Sequence, residues 1–236
     1  MNHVHVKVFL LGAGPVGLSA ALFLSFQGLN PRVIERLPER EVQSRAILIN
    51  PRSMELFDKY GMARKLTQNS YKLKAANLHK NNTRLVRFDF DRDKIEHKFP
   101  VLTVQDQAES ERQLVNILNS RNILVERGYD LIGIKNIEQR IEVKIQKPNG
   151  GDVETSQYDY VFSADGAHSV TRKCLEIGFP GITYDGLPWS LYDLKLETKL
   201  APNELNMFLK SDGFLFIVRV KDDIWRVFSK FRFFLT

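Results

Sequence analysis

The sequence predicts an α/β fold: an N-terminal βαβ unit built on a glycine-rich turn, interleaved with a β-rich region that dominates the last third of the chain. Three observations predict it. Gly12, Gly14 and Gly17 fall in the order G-x-G-x-x-G between an apolar, strand-like run (Val4–Leu11) and a helix-like run (Pro15–Gln27). A second strand ending in Val33-Ile34-Glu35 follows at the spacing a βαβ unit requires. From Tyr184 onward, strand-like segments alternate with short polar turns.

Each residue of the first turn has a physical reason. Gly12 permits a tight exit from the strand, Gly14 lets a pyrophosphate approach the backbone, and Gly17 lets the helix lie close to the sheet. Pro15-Val16 opens the helix, where the missing proline N–H would have had no partner. The free N–H groups and positive dipole end of that helix face the phosphates. Glu35 ends the second strand, where an acid accepts bonds from an adenosine ribose. The stretch therefore reads as a Rossmann-like dinucleotide site. The rival reading is a membrane span, since no charge occurs from Val8 to Pro31. Gly12, Gly14, Gly17 and Pro15 interrupt that run, and no basic cluster or cleavage site frames it, so no integral membrane segment is expected.

Further along, Arg36 to Arg40 is a polar, proline-broken loop, followed by Ser44-Arg45-Ala46. On spacing alone Arg45 is a solvated loop arginine. Asn50 before Pro51 predicts a helix start, with Met54, Leu56 and Phe57 as its apolar face and Gly61 as its end. Strands are expected at Leu85–Phe90 and Lys98–Val104 around the charged loop Asp91–His97, and a helix at Gln107–Asn119. Short strands follow at Ile123–Glu126 and Leu131–Ile137, then a half-exposed one at Ile141–Ile145. After the Asn149-Gly150 turn, Tyr158–Ala164 returns as a more buried strand. It leads into Asp165-Gly166-Ala167-His168-Ser169, a second strand-to-helix turn that carries an acid. Tyr184–Thr198 and Glu204–Phe234 read as strands turning at Asp212-Gly213 and Lys221–Asp223.

Composition excludes several classes. With 43% hydrophobic and 26% charged residues the chain of 236 is an ordinary globular one, able to bury a sizeable core. The net charge of +6 is spread over scattered Lys and Arg without a recognition motif, so nucleic acid is not an expected partner. One cysteine, Cys174, cannot form an internal disulfide, which fits the cytoplasm, and burial on a helix is its ordinary fate. His3 and His5 lack a nearby third ligand, so no metal is expected. Asp165, His168 and Ser169 crowd one turn, which does not establish a hydrolytic triad.

With both glycine turns placed, the sequence resembles the aromatic-ring hydroxylases, the FAD-dependent monooxygenases typified by para-hydroxybenzoate hydroxylase. The likeness runs from about Val4 to Leu196. It rests on Gly12-Ala-Gly-Pro-Val-Gly-Leu18, Glu35-Arg36, Ser44-Arg45-Ala46 with Asn50-Pro51-Arg52-Ser53-Met54-Glu55-Leu56, Gln107 with Glu111-Arg112 and Leu114, and Ala164-Asp165-Gly166-Ala167-His168-Ser169 with Arg172. The resemblance implies an FAD-binding fold of the glutathione-reductase type, spanning 1–180 with inserted strands at about 70–104. The start of a β-sheet substrate domain would occupy 181–236. It implies that Gly12, Gly14 and Gly17 hold the FAD pyrophosphate with Pro15 and Val16, and that Glu35 and Arg36 meet the adenosine end. Arg45 would then approach the pyrophosphate side of the flavin, and Gln107 (or Gln105) its linking chain. Asp165-Gly166 would accept a ribityl or ribose hydroxyl.

The implied chemistry is hydroxylation of an aromatic or other planar small molecule, with NAD(P)H as co-substrate and O2 delivered through a flavin hydroperoxide. No catalytic side chain is assigned. Two departures stand out: Ser163 replaces a usual glycine, and no counterpart of the family's later Gly-Asp flavin motif precedes Thr236. The chain therefore reads as cut short. A partner chain or a missing C-terminal half would cover its aromatic last strand. The alternatives are a non-catalytic FAD- or nucleotide-binding relic and an NAD-dependent oxidoreductase.

Overall fold

An uninterrupted apolar run makes β1 (Val8–Leu11) a strand buried on both faces, which calls for parallel neighbours joined by crossovers. The computed structural model describes residues 6–40, 46–81, 83–90, 98–99, 101–147, 150–182 and 189–231. In it β1 pairs in parallel with β2 (Arg32–Glu35) on one side and β12 (Tyr160–Ser163) on the other. β2 pairs in turn with β8 (Val125–Arg127), giving the order β12-β1-β2-β8. α1 (Pro15–Phe26) makes the crossover between β1 and β2, and α4 (Gln107–Asn119) packs along it. Arg121 joins the two helices by donating to the Ser25 Oγ and carbonyl oxygen at 2.7 and 2.9 Å, while its guanidinium lies over the Phe26 ring.

An antiparallel meander, β9 (Asp130–Ile137), β10 (Arg140–Gln146) and β11 (Val153–Tyr158), packs its apolar face on this sheet. Phe9, Leu11 and Ile34 meet Leu131, Val143, Ile145 and Tyr158 in one core cluster. At its border Arg32 forms a fork with Glu126 at 2.8 Å and with Glu154, which lies within the same ion-pair group. That arrangement lowers the Glu154 carboxyl below its ordinary value, chiefly through the hydrogen bond from Arg32. α5 (Val170–Cys174) follows β12. These elements make up one compact unit, Met1–Ser44 with Gln107–Gly181.

The other unit is Arg45–Asp106 with Ile182–Thr236. It opens with β3 (Leu48–Ile49), α2 (Pro51–Lys59) and α3 (Ala63–Leu66), and Asn50 caps α2 by accepting the Ser53 N–H at 2.8 Å. β4 (Tyr71–Lys72) and β3 pair on either side of β7 (Thr103–Val104). The main sheet has the order β13-β16-β15-β14-β5-β6. Its strands are β5 (Ala75–Lys80), β6 (Thr83–Asp89), β13 (Trp189–Lys195), β14 (Glu204–Lys210), β15 (Gly213–Lys221) and β16 (Ile224–Phe231). Only the β5–β14 pair is parallel, and it brings the residues from 75 onward beside those from 204 onward. Val218 and Val220 of this sheet pack with Ile47, Leu73 and Val104.

Several expectations need correction. Tyr158–Ala164 is not one buried strand: it breaks at Asp159, and β12 is an edge strand whose Tyr160 and Phe162 are exposed, because only β1 flanks it. β16 is flanked on both sides by β13 and β15, and the aromatic last residues 232–236, for which a cover is expected, lie outside the described residues. Among the described residues of Lys98–Val104, strand forms at β7 alone. β4 and β5 carry pairing within 70–80, where no individual strand is evident from the sequence alone. Leu56 and Cys174 are exposed, since α2 turns Met54 and Phe57 inward and α5 is a single short turn at the surface. None of the described helices is long and apolar enough to cross a membrane.

Candidate functional site

Three parallel strands of the first unit end side by side, and their exits form the site. Ligands of open α/β sheets sit at such carboxyl ends. The chain leaves β1 at Gly12, whose φ of +92° is ordinary only for glycine and whose N–H donates to the Ile34 carbonyl at 2.9 Å. A Cβ on Gly12 would lie 2.4 Å from the Ala164 carbonyl oxygen, so the exit of β12 presses directly on the glycine turn. A Cβ on Gly17 would lie 1.9 Å from the Gly12 carbonyl oxygen, so the turn folds back over the helix it starts. Gly14 differs from both. Its φ is an ordinary −74° and nothing lies within 4 Å of where its Cβ would be. The space in front of Gly14 is open.

That opening adjoins the start of α1, which no side chain caps, and Pro15 takes its first position. The helix therefore presents main-chain donors at its positive dipole end with no side-chain cap on them. Val16 is 65% exposed beside them, an uncommon place for a β-branched apolar side chain. Glu35, at the end of β2, turns back to the same turn: one carboxylate oxygen accepts the Ala13 N–H at 2.7 Å and the other the Leu37 N–H at 2.9 Å. Arg36 is exposed beside it.

The exit of β12 supplies a second acid. Asp165 accepts from Ser163 Oγ at 2.6 Å on one oxygen, and from the Thr171 N–H and Oγ at 3.0 and 3.1 Å on the other. Burial alone would raise this carboxyl, but hydrogen bonds from Ser163, Ser169 and Thr171 outweigh it and hold it below the ordinary aspartate value. Gly166 follows with φ +78°. Ser169 caps α5 by accepting the Arg172 N–H at 3.0 Å, a role that accounts for its place without a triad.

The structure thus brings Gly12, Gly14, Pro15, Val16, Gly17, Glu35, Arg36, Asp165 and Gly166 to adjoining strand ends of one unit. Gln107 stands at the start of α4 and its amide donates to Glu111 at 2.9 Å, one turn along its own helix. Gln105 belongs to the other unit, where it is buried and donates to the Leu66 carbonyl oxygen at 2.6 Å. Arg45, His3 and His5 lie outside the described residues. Sequence reasoning misses Thr171, whose only signal is a hydroxyl at the start of the next helix, and gives Ser163 no role beyond a departure from the family pattern.

A family model described as an FAD binding domain matches residues 5–222. The chain belongs to this family. Its open face at Gly14, its uncapped helix start and its two strand-end acids fit an anionic diphosphate flanked by sugar hydroxyls. Among relatives, pentachlorophenol 4-monooxygenase of Sphingobium chlorophenolicum is 27% identical over 93% of this chain and 41% of its own length. The 6-methylpretetramide 4-monooxygenase of Streptomyces rimosus is 25% identical over 92% of this chain and 38% of its own. The chain therefore spans about two-fifths of the length of these curated relatives. Among solved structures, p-nitrophenol 4-monooxygenase of Pseudomonas putida superposes with a TM-score of 0.87 at 18% identity, covering 98% of this chain and 60% of that one. The flavin-dependent monooxygenase PieE, solved with FAD and substrate, gives 0.82 at 21% identity over 100% and 44%. These two likenesses establish the fold.

Proposed function

We propose that this chain is the FAD-holding part of a flavin-dependent monooxygenase that hydroxylates an aromatic or other planar small molecule in the cytoplasm, with NAD(P)H as co-substrate. The observation that carries the reading is the contrast within the glycine turn: Gly12 and Gly17 are closed by backbone while Gly14 alone is open, next to an uncapped helix start. On this reading the main-chain N–H groups of Val16 and Gly17, just past Pro15 at the helix start, receive the diphosphate. Glu35 accepts from the adenosine ribose, with Arg36 beside it. Asp165, kept anionic by its neutral donors, accepts a hydroxyl of the ribityl chain or ribose, and Gly166 lets the chain turn away. Gln107 and Arg45 complete the assignment on the flavin side.

When bound, FAD supplies the redox chemistry, accepting electrons from NAD(P)H and passing them to O2. The residues named here bind and orient it; none of them is assigned a proton transfer.

The test is the visible spectrum of the purified chain after loading with FAD and gel filtration. A retained flavin band is expected, lost in Gly14→Glu and weakened about tenfold in affinity in Glu35→Ala, the worth of one hydrogen bond to a charged group. Gly14→Glu has conformational room, so its circular dichroism should match the parent. A folded parent chain that retains no flavin would overturn the reading. Retained flavin without NAD(P)H oxidation in the presence of candidate phenols would leave a binding module and remove the catalytic claim.

A further inference from the structure

We infer that Ser163 is a positioning residue for the cofactor: its hydroxyl holds the Asp165 carboxylate in the orientation in which it meets a hydroxyl of the bound flavin nucleotide. The inference rests on the flavin reading above and goes beyond it, since it gives a function to a side chain that the reading leaves without one.

A carboxylate offers about four acceptor positions, two on each oxygen. Thr171 uses both positions of Oδ2, through its N–H at 3.0 Å and its Oγ at 3.1 Å. Ser163 Oγ takes one position of Oδ1 at 2.6 Å, a short contact of the kind an ionised acceptor makes. Ser169 adds a further hydrogen bond to the group, and Ser163 is the donor placed on Oδ1. Thr171 alone would fix one oxygen and leave the carboxylate free to rock about it; a second donor on the other oxygen stops that motion. The group so fixed follows the peptide that closes over Gly12, where a Cβ would meet the Ala164 carbonyl oxygen at 2.4 Å and the Asp165 nitrogen at 3.1 Å. Ser163 and the glycine turn thus bear on the same acid from two sides.

Ser163 itself is exposed on edge strand β12, so its hydroxyl contributes nothing to core packing. A residue placed there only to build the strand would need no hydroxyl directed at the next acid. The titratable neighbours are few. β1 and the glycine turn carry no ionisable side chain, His168 shares the Asp165 turn, and the Arg172 guanidinium is taken up by the Ile177 carbonyl at 3.0 Å and the Phe179 ring.

The experiment compares the parent chain with Ser163→Ala and Ser163→Thr in two measurements. The first is the carbon-13 NMR titration of the Asp165 carboxyl without flavin. The second is FAD affinity as a function of pH, followed by flavin fluorescence. Because the folded carboxyl titrates below its ordinary value, the anionic acceptor is present above that midpoint and lost as pH falls through it. Ser163→Ala should move the midpoint to higher pH, carry the acid limb of FAD binding with it, and weaken FAD by roughly tenfold at neutral pH, the scale of one charge-assisted hydrogen bond. Ser163→Thr should restore both. Any loss of thermal stability in Ser163→Ala should be no larger than the shift of the Asp165 midpoint itself requires, whereas a merely structural role would cost stability without moving the midpoint. An unmoved midpoint in Ser163→Ala, or one that moves without any change in FAD affinity, overturns the inference while the flavin site stands. A parent chain that binds no FAD at any pH overturns the flavin reading itself, and the positioning claim with it.

Discussion

The two strand-to-helix turns of the first unit have the same outline and opposite construction. Each follows one of a pair of adjacent parallel strands, each holds a glycine with positive φ, and each opens a helix. At the first, Gly12 and Gly17 are confined by backbone atoms and the helix of twelve residues has no side-chain cap. At the second, Gly166 has nothing within 4 Å, the helix has five residues, and Ser169 caps it. The first turn has no side-chain cap on its helix and leaves the face at Gly14 open. The second has gathered hydroxyls around a carboxylate. One is built to receive negative charge, the other to keep it. A ligand with a diphosphate at one place and hydroxyls at another needs both.

Substitution should separate the two turns sharply. Gly17→Ala places a methyl 1.9 Å from the Gly12 carbonyl oxygen, a main-chain atom that cannot step aside without moving β1 or α1. The expected cost is about 3 kcal/mol or more, by overpacking and backbone displacement together. Chemical denaturation should show a lower midpoint, and flavin retention should be lost. Gly12→Ala should match it, since it combines a clash at 2.4 Å with a φ of +92°. If either variant is as stable as the parent, the turn is not confined as described.

Gly166→Ala should be milder. No atom obstructs the methyl, so the only penalty is the left-handed backbone at φ +78°, on the order of 1–2 kcal/mol. Asparagine at the same position should recover part of that loss, because it tolerates this region better than alanine does. Equal losses from Gly17→Ala and Gly166→Ala would erase the distinction between a packing glycine and a conformational one.

Much of this was legible in the sequence, and the exceptions are instructive. α4 runs from Gln107 to Asn119 as its apolar spacing predicts, and the turns at Asp212-Gly213 and at Lys221–Asp223 fall where expected. These features depend on local periodicity and turn chemistry. β12 was misjudged because its Tyr160, Val161 and Phe162 say only that the strand is apolar, while its exposure depends on how many strands flank it. β4 and β5 fall within the inserted strands expected at about 70–104, but neither has bounds that the sequence marks, because Ala75-Ala76-Asn77 has no strand signature of its own; β14, far away in sequence, pairs with β5. At the site, the glycines announced themselves through spacing. The partners of Asp165 did not, since nothing in a serine two residues before it and a threonine six residues after says that both will point at one carboxylate.

The smallest expected effect tests whether the second turn needs its cap. Ser169→Ala removes the acceptor for the Arg172 N–H and a hydroxyl that helps hold Asp165 anionic. Loss of an N-cap costs about 1 kcal/mol. α5 is one short turn with an exposed C-terminal half, so the loss should appear as faster amide exchange at Arg172 and its neighbours more than as a lower unfolding midpoint. The pH dependence has a definite sign. With one donor fewer, the Asp165 carboxyl should titrate closer to its ordinary value, so the stability it lends above that pH should begin to fade earlier as the solution is acidified. Gly14→Ala provides the contrast: it alters no cap and no carboxylate, has an unobstructed Cβ, and should leave both the exchange rates and the acid limb of stability where they are. If Ser169→Ala and Gly14→Ala behave alike, the hydroxyls around Asp165 are not holding its charge, and the second turn is a bend in the chain rather than a seat for an acid.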